Sequence, residues 1–346
     1  MCKKQINALT LPQLAERLKE MGQPAFRAKQ IFHWLHQKQV SEFSRMTDQP
    51  KTLLAKLEEE YDIVRLTIRR RQQSKDGTVK YLFGLPDGNC IETVVMRYTY
   101  GNTVCVSTQV GCRMGCRFCA STQAGLVRSL TAGEIAAEVY AAQADIGQRI
   151  SHIVLMGIGE PLDNFDNVMD FLTIISSPDG INIGMRNISL STCGLVPMID
   201  KLAQRKLQLT LSISLHAPND EMRSRMMPVN NAYPVAQLID ACRRYQKTTG
   251  RRISFEYSMV KGVNDSPETA RQLAGLIKGM GAHVNLIPIN PVDGSPYSAT
   301  DAANVRRFQQ LLEQLGVNAT VRRRLGSDIS AACGQLRREA REEAQG

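Results

Sequence analysis

From residue 103 onward, segments with strand character alternate with segments carrying a helical apolar stripe. This alternation restricts the possible folds more than any other feature of the chain. Strands are expected to begin near Thr103-Val104, His152-Ile153, Asn187-Ile188, Leu209-Thr210, Arg252-Ile253 and His283-Val284. Amphipathic helices separate them, for example over Glu134 to Tyr140 and Glu268 to Ile277. Repeated strand–helix–strand units close with right-handed crossovers and build a parallel sheet. Six such units fit an α/β fold of the partial (βα)6 barrel type, with a doubly wound sheet as the alternative. In a parallel barrel the working residues sit at the C-terminal ends of the strands. Those ends carry the unusual sequences. Gly111-Cys112-Arg113-Met114-Gly115-Cys116-Arg117-Phe118-Cys119 follows the first strand and Gly157-Ile158-Gly159-Glu160-Pro161 the second. The third ends at Ser191-Thr192-Cys193-Gly194, the fourth at Ser214-Leu215-His216 and the sixth at Ile289-Asn290-Pro291.

The barrel segment, 101–346, is preceded by two others. Residues 1–60 read as a small helical domain. Thr10 and Gln13 are placed for a capping box, with Leu11, Leu14 and Leu18 on one helical face; Ala28, Ile31, Phe32 and Leu35 and then Leu53, Leu54, Leu57 and Tyr61 repeat the stripe. Over 61–100 the period changes to two. Val64, Leu66 and Ile68 alternate with polar residues, and Asp76-Gly77 marks a hairpin turn, with further turns at Asp87-Gly88 and Gly101-Asn102. This segment is expected to be a β-hairpin extension.

The formal net charge of +10 suits a polyanionic partner such as nucleic acid, although ordinary surface charge gives the same total. The N-terminus lacks the apolar stretch of a signal peptide, and no apolar run is long enough to cross a bilayer, so a cytoplasmic protein with no membrane partner is expected. Nine cysteines in a reducing compartment read as metal ligands, catalytic thiols or small buried hydrophobes.

Cys112, Cys116 and Cys119 stand as C-x3-C-x2-C in a loop. Three thiolates this close need a positive centre, and zinc and an iron–sulfur cluster are the usual candidates. A structural zinc wants four ligands; Cys105 lies inside a strand pattern, and no histidine falls between 37 and 151. A four-iron cluster on three cysteines leaves one iron open to bind a cofactor.

The C-x3-C-x2-C run after the first barrel strand resembles the signature of the radical S-adenosylmethionine (SAM) superfamily. The chain as a whole is similar to the RlmN type of dual-specificity ribosomal and transfer RNA adenine-C2 methyltransferases, from the helical N-terminal domain to Cys333. The likeness rests on the cluster run, Thr103-Val104-Cys105-Val106-Ser107, Gly157-Ile158-Gly159-Glu160-Pro161, Ser214-Leu215-His216-Ala217-Pro218-Asn219 and Ala331-Ala332-Cys333-Gly334-Gln335-Leu336. It implies one [4Fe-4S] cluster on Cys112, Cys116 and Cys119, and SAM, two per turnover, held by Gly159, Glu160, Ser191, Ser214, Leu215, His216 and Asn290. It implies that Cys333 is methylated and then joined to the adenine, that Glu92 accepts the C2 proton, and that Cys105 frees the product by forming a transient disulfide with Cys333. The tail holding Cys333 is then a mobile loop. The implied partners are 23S rRNA, tRNA and an electron donor such as flavodoxin or ferredoxin, with a monomer as the default. The helical domain, Arg69, Arg70 and Arg71, and Arg322, Arg323 and Arg324 are candidate phosphate contacts.

Taken singly, each of these residues has an ordinary explanation: Glu92 as a strand surface carboxylate, His216 as a satisfied loop histidine, Cys105 as a buried strand cysteine, Glu160 as a helix-start carboxylate. Cys2, Cys90, Cys193 and Cys242 read as structural. Two other readings stay open: a C8-methylating relative of the antibiotic-resistance type, and a non-catalytic RNA-binding protein with a structural zinc.

Overall fold

The computed structural model describes residues 3–123, 125–289, 297–323, 325–326, 328–329 and 336. Strand β1 (Lys4–Gln5) leads into helices α1 (Leu11–Glu20), α2 (Phe26–His36) and α3 (Lys51–Glu60), and β2 (Tyr61–Asp62) then returns to pair in parallel with β1. The capping box forms. Thr10 Oγ1 accepts from the Gln13 N–H, and the Gln13 side chain accepts from the Thr10 N–H, which satisfies two orphan donors of α1. Leu14, Leu18, Ile31, Phe32, Leu35, Leu53 and Leu57 are all buried, so the three apolar stripes close one core.

Next come β3 (Thr67–Gln73), β4 (Val79–Gly84) and β5 (Cys90–Tyr98), an antiparallel meander that turns at Asp76-Gly77 and Asp87-Gly88. The first of these strands starts later than the alternation from Val64 predicts. The cause is Asn7: its Oδ1 accepts the Val64 N–H at 3.1 Å and its Nδ2 donates to the Val64 carbonyl at 3.4 Å, so this backbone bonds to a side chain instead of a strand. Ile68, one of the alternating apolar residues, is exposed on the edge strand.

The meander is continuous with the barrel sheet, because β5 pairs antiparallel with β6 (Gly101–Cys105). A small ribbon, β7 (Gln109–Gly111) and β8 (Leu126–Ser129), frames the cysteine loop. The alternating series follows: α4 (Ala132–Ile146), β9 (Ile150–Leu155), α5 (Phe165–Ser176), β10 (Ile188–Thr192), α6 (Val196–Gln204), β11 (Thr210–Ser214), α7 (Asp220–Met226), α8 (Val235–Thr249), β12 (Ile253–Met259), α9 (Pro267–Leu276), β13 (His283–Pro288), α10 (Ala302–Gln314) and β14 (Asn318–Val321). The ten-stranded sheet runs β14-β13-β12-β11-β10-β9-β6-β5-β4-β3, and β6 and β9 to β14 are parallel. The expected α/β partial barrel is present, with β14 as a seventh parallel strand that the pattern did not reveal. Only Ala319 of its four residues is buried, so it carries no apolar run. Among the described residues no helix is long and apolar enough to cross a membrane.

His36 joins the N-terminal helices to the barrel. Its ring lies 4.3 Å from that of Phe32, and its Nδ1 is 3.0 Å from the Tyr140 hydroxyl on α4. Burial pushes its pKa down to about 3, whereas an unfolded histidine takes its proton near pH 6.5. The native state therefore binds fewer protons than the unfolded one in this window. The stability is present above about pH 6.5 and is lost as pH falls towards 3, by up to roughly 1.4 kcal/mol per pH unit. His36→Phe is expected to flatten the fall in melting temperature between roughly pH 6.5 and 4.5. An unchanged slope in thermal melts would show that this histidine does not carry the acid sensitivity.

Candidate active site

The C-terminal ends of the parallel strands surround a chamber of about 370 Å³. Its wall includes Cys112, Cys116 and Cys119, together with Cys105, Gly159, Glu160, Ser191, Ser214 and His216. Residues scattered over more than a hundred positions of sequence are thus brought to one rim, as the barrel topology requires.

The cysteine loop is fixed at several points. The Cys112 N–H donates to the Gly125 carbonyl at 3.0 Å and the Arg117 N–H to the Met226 carbonyl at 2.9 Å. The Thr122 hydroxyl lies 3.2 Å from the Cys116 carbonyl and 3.0 Å from that of Cys119. Burial, followed among other causes by the nearby Cys119 thiol, pushes the Cys112 thiol up to about 12; burial, then Cys119 and Cys112, raises Cys116. Protein groups alone therefore disfavour thiolates here, so thiolate ligands in this loop would need a bound cation to supply the counter-charge. Among the described residues, no three His, Cys, Asp or Glu side chains converge as ligands of a single ion. Three loop thiols are the donor set of an iron–sulfur cluster that keeps one iron open, whereas a structural zinc wants a fourth ligand.

The loop after β9 is shaped by glycine. Gly159 has φ +107°, and a Cβ there would come within 2.6 Å of Gln109 Cβ; at Gly157 it would meet the Val106 carbonyl oxygen at 2.6 Å. The Gln109 side chain holds the turn, accepting the Glu160 N–H at 2.9 Å and donating to Asp163 at 3.0 Å. Asp163 in turn pairs with Arg113 of the cysteine loop. The Glu160 carboxylate accepts from the Leu162 N–H at 3.0 Å and the Cys193 N–H at 2.8 Å, so it both caps a short 3-10 helix and ties β9 to β10. Burial raises its pKa.

The Ser191 and Ser214 hydroxyls lie 3.3 Å apart on adjacent strands. His216 takes up φ +57°, accepts the Ser258 N–H on Nδ1 at 3.0 Å and packs edge-on against Phe118. Burial, then Arg223, lowers its pKa to about 3, so the ring is neutral. Leu215 is not on the wall: its side chain is fully buried in the main core. Asn290 and Cys333 lie outside the described residues, as do Cys2 and Arg324.

Cys105, at the end of β6, packs with Val94, Met96 and Leu325. Leu325 belongs to the tail that leads to Cys333. That tail is clasped by the first turn of the meander: Asp76 accepts the Gly326 N–H at 2.8 Å, and Asp328 accepts from the Ser74 hydroxyl and from the Lys75 N–H at 3.1 Å. Glu92 is not the surface carboxylate that its strand context suggests. It is buried and paired with Lys80, on the β5 face that carries Val94. Arg322 and Arg323 reach the chamber wall, whereas Arg71 is paired with Asp145 at 2.8 Å.

Sequence reading missed Arg223, Gln109, Asp163 and Asn264. The buried Arg223 guanidinium donates to the carbonyls of Cys193, Ser214 and Leu215 and to Asn230. Asn264 donates to the His216 and Ser258 carbonyls, both at 2.7 Å. Many of their partners are backbone or side-chain atoms of other loops, and a sequence pattern carries no record of such pairings. Cys193, read as structural, lines the chamber, whereas Cys242 is in the main core.

A partial barrel with this thiol-lined rim is the architecture of a radical SAM enzyme, and residues 106–274 match the Radical SAM superfamily. Residues 5–63 match the ribosomal RNA large subunit methyltransferase N-terminal domain. The chain belongs to the RlmN family of dual-specificity RNA methyltransferases. It is 54% identical over 344 residues to a sequence of Desulforamulus reducens described as a probable dual-specificity RNA methyltransferase RlmN, covering 98% of each chain. A Clostridium perfringens sequence with the same description is 54% identical over 336 residues, or 97% of each chain. The crystal structure of a radical SAM methyltransferase from Sphaerobacter thermophilus superposes with a TM-score of 0.91 at 48% identity, covering 96% of this chain and 98% of that one. Membership implies a [4Fe-4S] cluster and SAM as cofactors.

Proposed function

We propose that this enzyme methylates C2 of an adenine in 23S rRNA and, with the same site, an adenine in the tRNA anticodon loop. The observation that carries the reading is the meeting of Cys105, the three loop thiols and Glu160 in one chamber. Cys112, Cys116 and Cys119 would hold the [4Fe-4S] cluster, and Gly159, Glu160, Ser191, Ser214 and His216, with the backbone of Leu215 and with Asn290, would hold SAM. When bound, cluster and SAM supply the one-electron SAM cleavage that activates a methyl group. The protein's own groups do the rest. Cys333 carries the methyl group as a thioether, so two SAM molecules are consumed per turnover. The buried carboxylate of Glu92 accepts the C2 proton, and the Cys105 thiol attacks Cys333 to release the product. The neutral His216 ring and the buried wall keep water from the reacting groups.

The target base must leave its stack to enter the chamber, which loops and single strands permit most readily. The helical domain, Arg69, Arg70, Arg322 and Arg323 would meet the phosphates. Reversing the charge of Arg322 and Arg323 is expected to lower the salt slope of RNA binding by about one per lost contact. An unchanged slope would remove these arginines from the interface. The enzyme would work as a cytoplasmic monomer reduced by a flavodoxin or ferredoxin.

The cluster assignment is tested by anaerobic reconstitution, metal and sulfide analysis and a visible spectrum. About four irons and four sulfides per chain are expected, with both lost in Cys116→Ala. Stoichiometric zinc with no visible absorption would overturn it.

A further inference from the structure

We propose that Lys80 is the positioning residue of the base, a buried ammonium that fixes the Glu92 carboxylate for proton transfer. The proposal rests on the reading of Glu92 as the proton acceptor. Lys80 Nζ lies 3.1 Å from Glu92 Oε2, and the side chains are 0% and 3% exposed. In the β4–β5 ladder Lys80 stands opposite Val94 and Glu92 opposite Leu82, so the pair spans neighbouring strands diagonally on one sheet face. Val94 on that face lines the chamber, as does Thr78 two residues before Lys80.

Lysine is rarely buried this completely, and buried ion pairs are often no more stabilising than apolar residues of the same volume. This pair lies next to two residues of the chamber wall, and that place points to the reaction. The backbone of the base is also fixed. The Ser107 hydroxyl donates to the Glu92 carbonyl at 2.7 Å and accepts the Ile158 N–H at 3.1 Å, which ties β5 to the turns after β6 and β9. A carboxylate held through Oε2 and through its own backbone keeps one orientation while the adenine enters. In the transfer Glu92 takes the C2 proton and Lys80 keeps all of its own.

The test uses full-length reconstituted enzyme carrying Lys80→Met, Lys80→Arg or Glu92→Gln, incubated with SAM, reductant and an rRNA fragment. Iron content, SAM cleavage, covalent protein–RNA adduct and released methylated RNA are measured. Lys80→Met is expected to keep its iron and SAM cleavage, to accumulate the adduct and to release product at least about tenfold more slowly, with Lys80→Arg restoring most of the rate. Wild-type release by Lys80→Met, or slow release without adduct, overturns the proposal. Should Lys80→Met lose its iron, Lys80→Gln is read in the same way; loss of iron in both shows that Lys80 holds the fold and not the base, which also overturns it. Glu92→Gln separates the two claims. If it releases product normally, the base reading itself fails. If it traps adduct and Lys80→Met does not, only the role of Lys80 falls.

Discussion

Cys105→Ala enzyme is expected to end its incubation covalently attached to RNA. The substitution removes one sulfur from a packed site shared with Val94, Met96 and Leu325, so the fold and the loop thiols should survive it. Cys333 would still take up its methyl group and still join the adenine. Only the step that needs Cys105 as the second thiol would stop. Release of free methylated RNA should fall by more than about 10²-fold, the penalty that even a 1 Å misplacement of a reacting group carries. Cys333→Ala should form neither adduct nor product. Gel electrophoresis under denaturing conditions separates the three results. Free methylated RNA from Cys105→Ala at the wild-type rate would remove Cys105 from the mechanism.

Arg223→Ala is expected to give the largest loss of stability among substitutions at this rim. The side chain is fully buried, and its guanidinium bonds to the Cys193, Ser214 and Leu215 carbonyls and to Asn230 Oδ1 at 2.6 to 3.2 Å. It thereby fixes the ends of β10 and β11 against each other, and those ends carry Ser191, Ser214 and His216. Burial lowers its pKa, but arginine remains protonated in proteins, so the charge is held by carbonyl dipoles. Truncation takes the guanidinium donor from the Cys193 carbonyl and Asn230 Oδ1 at about 1–3 kcal/mol each, and adds a cavity. The total, on the order of 5 kcal/mol, corresponds to a fall of roughly 10 °C or more in melting temperature. A shift of less than about 3 °C would show that water or neighbouring donors replace the guanidinium.

How much of this was visible in the sequence depends on whether the signal was local. The six parallel strands from Thr103 to Val284 were legible because each is a short apolar run with helices between. So was the capping box at Thr10, because its partners are three residues apart. β14 was not, because its four residues are mostly exposed and gain their pairing only from β13. The start of the meander was misplaced because Asn7, 57 residues away, takes the Val64 backbone. In the site, spacing alone marked the cysteine loop as a metal site, and the family likeness made it a cluster site. Glu160, Ser191, Ser214 and His216 could be joined to it only through the family likeness, and the chamber now gives them a shared wall. Leu215 was grouped with its neighbours, yet its side chain turns into the core. Lys80 gave no signal, since a lysine in an amphipathic strand reads as solvent-facing until the fold places Glu92 beside it.

The most direct test of the account is mass spectrometry of nucleosides from a 23S rRNA fragment treated with reconstituted enzyme, reductant and methyl-labelled SAM. The account predicts 2-methyladenosine carrying the label, formed by the wild-type enzyme and by neither Cys333→Ala nor Cys116→Ala. Label at C8, or SAM cleavage without a methylated adenine, would contradict it.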